Sequence, residues 1–157
     1  MKISSIVWIH FAALIAAAGV VIHVGALFGG PSWFAFFGAP PSVVASARNG
    51  TWLAHVSGGA IAGLMGMCAW YAESAVGLVK RPPFQRLGLG VIASVCLVRA
   101  LLLPVLAVSH PQLRNNFEIV AAIVWFLAGV GFSVGFFMSV FNPAVHRTLR
   151  DKAAQRR

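Results

Sequence analysis

Four long apolar runs, each about as long as a membrane-spanning helix, constrain this chain more than any other feature. They cover residues of about 4–29, 51–78, 85–108 and 116–141. A helix needs roughly 20 mostly apolar residues to cross the hydrocarbon core of a bilayer. Backbone groups in hydrocarbon must bond internally, so a spanning chain forms helices or a closed barrel, and barrel strands alternate apolar and polar residues. The unbroken runs predict an all-α integral membrane four-helix bundle.

The composition agrees with lipid as the solvent. Hydrophobic residues make up 59% of the chain and charged residues 10%, with a mean hydropathy of +0.86. A soluble domain carries about 25% charged residues, which cover its surface in water. We expect one transmembrane domain over residues 1–157. Its first apolar run continues well beyond the roughly 7–15 residues of a signal-peptide core, and it is therefore expected to be a membrane span.

The basic residues predict how the chain is oriented in the membrane. Arg48 and Arg114 lie on one side, and Arg99 lies inside a span. The other side carries nine basic residues: Lys2, Lys80, Arg81, Arg86, Arg147, Arg150, Lys152, Arg156 and Arg157. Because cytoplasmic loops are enriched in Lys and Arg, both termini are expected in the cytoplasm (N-in/C-in), with residues 143–157 as a basic tail. Such flanking charges indicate anionic lipid headgroups as partners and not nucleic acid.

An aromatic cluster follows the first span. Trp33, Phe34, Phe36 and Phe37 fall within one or two helical turns of each other. Amphipathic rings partition well into the membrane interface, so we expect this loop to lie flat there. A lid over a binding site is the alternative interpretation.

Small residues mark one face of the second span. His55 and Glu73 are 18 residues apart and therefore share a helical face. Between them on that face lie Gly59, Ala62, Gly66 and Ala69, and Gly59 with Gly63 also has small-xxx-small spacing. Small residues let helix backbones approach closely, so this face is predicted to pack against another helix.

Arg99 is the most costly residue that the chain places inside a span. An Arg near the bilayer centre costs about 2.5–3.5 kcal/mol on insertion scales, so it should find a partner or water. Glu118, near the start of the fourth span, is the acidic residue available on that side. We expect an Arg99–Glu118 ion pair that joins the third and fourth helices. The alternative is that Arg99 faces a cavity and binds an anion or a lipid headgroup.

Two histidines, His23 and His55, lie at similar depth in the outer halves of the first two spans. Together with Arg99 and Glu118 they form a predicted polar intramembrane cluster. Because bundles bind cofactors through side chains on facing helices, His23 and His55 are candidate axial ligands of haem b. A metal site at His23, His55 and Glu118 is a further hypothesis, although no tight ligand motif supports it.

Several segments of the chain resemble those of a group of small bacterial four-span inner-membrane proteins. The segments are WFAFFGAP, NGTW, ESAVGLVKRPPFQRLGLGVIASVCLVRALLLP and VWFLAGVG, which cover most of residues 33–131. The resemblance implies the four-span topology, a bacterial inner-membrane location and a place for Arg99 in the shared pattern. Glu73 departs from that pattern, in which this position is usually apolar. The resemblance implies no activity.

The sequence favours a non-catalytic role. It contains no Gly-rich phosphate loop and no paired carboxylates, and three acidic residues leave little material for general acid–base chemistry. We expect an accessory subunit or interaction partner that works through helix and lipid contacts with another membrane chain or with a second copy of itself. The alternatives are a haem b-binding electron-transfer subunit and an oligomeric small-ligand carrier. The carrier would have to be oligomeric because four spans are few for a transporter.

Overall fold

The described part of the chain is almost entirely helical. The computed structural model describes residues 3–110 and 116–141, and no β-strand occurs among them. Its helices are α1 (Ile3–Gly29), α2 (Pro31–Phe36), α3 (Pro41–Arg48), α4 (Trp52–Val76), α5 (Gln85–Ser109) and α6 (Asn116–Phe141). Helices α1, α4, α5 and α6 are long and apolar enough to cross a membrane. The chain is therefore a multi-pass helical membrane protein.

The predicted spans agree with these four helices to within two residues at every end. The all-α membrane fold is thus confirmed. The predicted basic tail, residues 143–157, lies outside the described residues, as do Lys2 and Arg114. The orientation of the termini stays a prediction.

The loop between the first two spans contains two short helices that the sequence analysis did not predict. Both α2 and α3 have a proline in their first turn, Pro31 and Pro41. Proline suits the start of a helix because its φ is already helical and its missing N–H would be unbonded there. After α2, Gly38 adopts a φ of +73°, which a residue with a Cβ rarely adopts.

The chain contacts divide into two compact units. The first unit comprises the start of α1 through Ala13 and the chain from Trp70 onward, and the second comprises Leu14–Ala69. Helices α1 and α4 run through both units, whereas α5 and α6 belong to the first and α2 and α3 to the second.

All four spans meet in the first unit around Gly135 of α6. A Cβ at Gly135 would lie 3.6 Å from Leu89 Cδ2 of α5, 3.7 Å from Ala75 Cβ of α4 and 3.8 Å from Ile9 Cγ1 of α1. The buried residues of α5 recur at alternating steps of four and three: Leu89, Ala93, Cys96, Ala100 and Leu103. That spacing produces one continuous seam along the helix, as in a coiled coil.

Two further glycines let α6 approach its neighbours closely. A Cβ at Gly129 would lie 2.8 Å from Leu97 Cδ2 of α5, and one at Gly131 would lie 2.5 Å from the backbone oxygen of Trp8 in α1. Lipid is as apolar as the side chains, so helices associate in membranes mainly through such van der Waals contact. The glycines of α6 are therefore among the positions where this unit packs closely.

A tightly bonded turn connects α4 to α5. Gly77, with a φ of +85°, ends α4, and the bonds Gly77 N–H to Ser74 O and Leu78 N–H to Glu73 O form a Schellman motif. Gln85 Nε2 donates to Ser74 Oγ across the turn at 2.9 Å. These three hydrogen bonds therefore hold the end of α4 and the start of α5 in place.

Two aromatic side chains of α4 bond to the backbone of the same turn. Trp70 Nε1 donates to the Lys80 carbonyl and Tyr71 Oη donates to the Pro83 carbonyl, each at 3.0 Å. Phe84, the residue just before α5, has a left-handed φ of +53°, an uncommon conformation for a bulky residue.

The second unit has a small core at the entry to α4. Ala26, Phe34 and Ala54 are buried there, and Leu27, Ala39, Val43, Val44 and Ala47 pack against them. Ser46 of α3 is buried next to this core, and its Oγ accepts a hydrogen bond from the Ala54 N–H at 3.0 Å. The first turn of α4 is therefore capped by a side chain from the preceding helix.

Candidate functional site

The first unit contains a contact between two ionisable side chains, one from α1 and one from α4, that the sequence analysis did not predict. His10 Nδ1 lies 3.1 Å from Glu73 Oε1, and the two side chains are 42% and 26% exposed. The second carboxylate oxygen, Glu73 Oε2, is buried and makes no hydrogen bond within the described part of the chain. An ionisable pair inside a membrane span is a candidate functional group by default.

A signal for this pair was present in the sequence. The sequence analysis places Glu73 on the same face of the second span as His55 and predicts no partner residue for it. His10 follows the start of α1 closely, and Glu73 precedes the end of α4 closely. Consecutive spans run in opposite directions, so these two depths correspond, and a comparison across residue types would have predicted the contact.

The predicted pair between α5 and α6 is present. Arg99 Nη2 lies 3.5 Å from Glu118 Oε2, and the side chains are 47% and 21% exposed. Because this pair belongs to the first unit and His23 and His55 belong to the second, the convergence of all four residues stays a prediction.

His23 lies in the second unit and bonds to its own helix. Its Nδ1 is 2.8 Å from the Gly19 carbonyl oxygen. A carbonyl can only accept, so Nδ1 must carry the proton, and in the neutral ring Nε2 is then an acceptor. This hydrogen bond fixes the tautomer of His23 and leaves Nε2 as the ring nitrogen that can meet a ligand.

His23 also lines a cavity of about 350 Å³ in the second unit. The cavity walls come from α1, α2, α3, α4 and the α2–α3 connection: Ile22, His23, Ala26, Phe34, Phe37, Gly38, Ala39, Pro40, Val43, Ser57, Gly58 and Ile61. The α4 residues among them are Ser57, Gly58 and Ile61, whereas His55 is exposed. The structure therefore places one of the two predicted haem ligands at this cavity and not the other.

The predicted small-residue face of α4 divides into two parts. Ala62 is buried, and a Cβ at Gly66 would lie 3.8 Å from Val20 Cγ2 of α1. At Gly59 and Gly63, a Cβ would meet no atom within 4 Å. The face thus packs against α1 at one end, and at the other end it contacts no helix in the described chain.

The predicted aromatic cluster forms part of α2 and its C-terminal end. Trp33 and Phe37 have ring centroids 5.9 Å apart, and Phe36 packs edge-on against Phe37 at 5.0 Å. Trp33 and Phe36 are exposed, whereas Phe34 is buried. The cluster therefore has one inward ring next to the cavity and two outward rings, which suit a membrane interface.

Metal ligands do not group in the described ranges. Among residues 3–110 and 116–141, no three His, Cys, Asp or Glu side chains are placed so that they could hold a metal ion.

Comparison of the chain with protein-family models, with curated proteins and with solved structures finds no match.

Proposed function

We propose that this protein is a non-catalytic accessory subunit or interaction partner of the bacterial inner membrane, which binds another membrane helix through the open face of α4. The observation that supports this is the pair Gly59 and Gly63, four residues apart in a span: apart from the adjacent residues and backbone of α4 itself, no atom lies within 4 Å of either Cβ position. Glycines at this spacing allow close contact between two spanning helices. Within the described chain no helix uses that contact.

The side chains around the two glycines are consistent with a covered surface. His55 lies one helical turn before Gly59 and is exposed, so the polar ring would face lipid when the protein is alone. Polar side chains in transmembrane helices usually face another helix or a water-filled space. A partner helix over Gly59 and Gly63 would shield His55 from the acyl chains and provide it with a hydrogen-bond partner.

The proposed orientation has both termini in the cytoplasm. Its support is the distribution of the Lys and Arg residues, nine on the side of the termini against two on the other. Basic residues next to the spans would also attract anionic lipid headgroups, each by about 1 kcal/mol near the surface. Lipid contact is thus part of the proposed function.

The experiment is co-purification of the full-length chain from its native membranes, followed by intact-complex mass spectrometry. The double variant Gly59→Leu, Gly63→Leu is expected to retain less than a tenth of the partner. Ala17→Leu is the matched control, because Ala17 is also an exposed small residue of a span. A second copy of the chain in the complex identifies a homo-oligomer, and a different chain identifies an accessory subunit.

Two outcomes would contradict the proposal. In the first, the wild-type protein leaves its membranes as a monomer with no companion chain. In the second, the double variant retains as much partner as the Ala17→Leu control. Circular dichroism of each variant checks that a loss of partner does not come from a loss of helix.

A haem b-binding electron-transfer subunit is the second candidate, and one observation favours it. Metal-bound histidines usually donate their other ring N–H to a carbonyl or carboxylate, as His23 does to Gly19. The test is an absorption spectrum of gently purified protein before and after dithionite. A Soret band that sharpens on reduction and vanishes in His23→Ala and His55→Ala would support haem, and a colourless sample would exclude it.

A further inference from the structure

The cavity of the second unit combines apolar walls with two hydrogen-bonding side chains. Its lining includes the rings of Phe34 and Phe37 and the aliphatic side chains of Ile22, Val43 and Ile61. None of its lining residues is charged. Its volume of about 350 Å³ is near the lower end of the roughly 300–1,000 Å³ range of small-molecule sites. A charged ligand would find no counter-ion here.

The two polar side chains both offer acceptors to a ligand. His23 uses its Nδ1–H on the Gly19 carbonyl, so the neutral ring presents the lone pair of Nε2. Ser57 donates its hydroxyl hydrogen to the Leu53 carbonyl at 2.7 Å, which leaves its oxygen with lone pairs only. The site therefore matches a neutral molecule that brings its own hydrogen-bond donor.

We propose that this cavity binds a lipid-soluble molecule whose hydroxyl group donates a hydrogen bond to His23 Nε2. Phe34 and Phe37 suit an aromatic head, because rings pack favourably edge-to-face or offset. A hydroquinone with an alkyl tail has this chemistry, and a long-chain aliphatic alcohol shares the donor but not the ring. The site is distinct from the open face of α4 at Gly59 and Gly63, so it does not depend on the proposed partner helix.

The test is isothermal titration of the full-length protein in nanodiscs, with empty nanodiscs as the blank. The probes are decylhydroquinone kept reduced under argon, its dimethyl ether and 1-decanol. The ether keeps the ring and the tail but has no hydroxyl donor. Wild-type protein is expected to bind the ether about tenfold more weakly than decylhydroquinone, which corresponds to about 1.4 kcal/mol.

Variants locate the hydrogen bond. His23→Leu should weaken decylhydroquinone binding to the level of the ether and leave ether binding nearly unchanged. His110→Leu is the matched control, because His110 Nδ1 also lies near the carbonyl four residues earlier, at 3.3 Å from Leu106 O, and does not line the cavity. Ile61→Trp should weaken binding of all three probes at least tenfold by filling the cavity.

The affinities of the three probes for wild type and the variants test the proposal. If 1-decanol binds as tightly as decylhydroquinone, the donor chemistry stands and the natural ligand is aliphatic; weaker 1-decanol binding identifies an aromatic head. The proposal is overturned if no probe binds, if ether and hydroquinone bind equally to wild type, or if His23→Leu keeps the difference between them. If His23→Leu fails to fold, the ether comparison and Ile61→Trp still decide. A His23-dependent Soret band would also overturn it.

Discussion

The two compact units differ at particular glycines and polar side chains. In the first unit, Gly129 and Gly131 are positions where neighbouring helices nearly touch. In the same unit, the ionisable side chains of His10 and Glu73 lie within 3.1 Å of each other. In the second unit, Gly59 and Gly63 face open space, and His23 lines a cavity. At these positions the first unit is closely packed, whereas the second leaves room and hydrogen-bonding atoms for other molecules.

The largest contrast is expected between two glycines. Gly131→Ala should destabilise the protein by about 3 kcal/mol, because the new Cβ would lie 2.5 Å from the Trp8 backbone oxygen, which cannot move alone. Gly59→Ala should change stability by less than about 0.5 kcal/mol, because no atom lies within 4 Å. Thermal unfolding in one detergent, followed by circular dichroism, measures both. Equal losses would show that the two positions do not differ in packing.

The second unit has one polar contact that should matter for stability. Ser46→Ala should cost about 2 kcal/mol, because the buried Ala54 N–H loses its acceptor. Ser57→Ala is the matched control: Ser57 Oγ bonds only to carbonyls of its own helix. Unfolding by dodecyl sulfate titration gives both values. A Ser46→Ala protein as stable as Ser57→Ala would mean that the start of α4 does not need this cap.

The pair between α1 and α4 should show measurable coupling. A double-mutant cycle on His10→Ala and Glu73→Ala should yield about 1 kcal/mol of interaction energy, since both side chains are partly shielded within the first unit. The readout is again thermal unfolding in detergent. Additive losses would show that the 3.1 Å contact does not hold the two helices together.

The smallest effect is expected for the pair between α5 and α6. The contact of Arg99 with Glu118, at 3.5 Å, is longer than that of His10 with Glu73, so a cycle on Arg99→Ala and Glu118→Ala should give about 0.5 kcal/mol. Strict additivity of the two losses would sink the pairing. A coupling larger than that of His10 and Glu73 would reverse the ranking of the two pairs.

The spans were predictable from the sequence because lipid imposes a simple rule on length and polarity. The ends of α1, α4, α5 and α6 fall where the apolar runs end. The Arg99–Glu118 contact was predictable for a related reason. A charged side chain in a span needs a partner, and Glu118 is the acidic residue available on the same side of the membrane as Arg99.

The connection between α1 and α4 was not predictable by the same rule. Helices α2 and α3 are short and hold few internal hydrogen bonds, so their stability comes from contacts such as Phe34 against Ala26 and Ala54. Such contacts depend on the packing of residues distant in sequence. Likewise, the exposure of His55 depends on the rotation of α4, and residue spacing leaves that rotation open. The cavity beside His23 depends both on the packing of α2 and α3 and on the rotation of α4.

The bonded turn between α4 and α5 has a consequence for mapping the membrane topology. Lys80 and Arg81 would ordinarily attract trypsin, but a protease needs an extended, locally unfolded segment. Here the carbonyls of Lys80 and Pro83 are held by Trp70 and Tyr71, and Pro82 follows Arg81 directly. Resistance of this turn to trypsin would therefore reflect its hydrogen bonds and Pro82, whichever side of the membrane it occupies. A small thiol reagent acting on a cysteine at Lys80 reports the side itself.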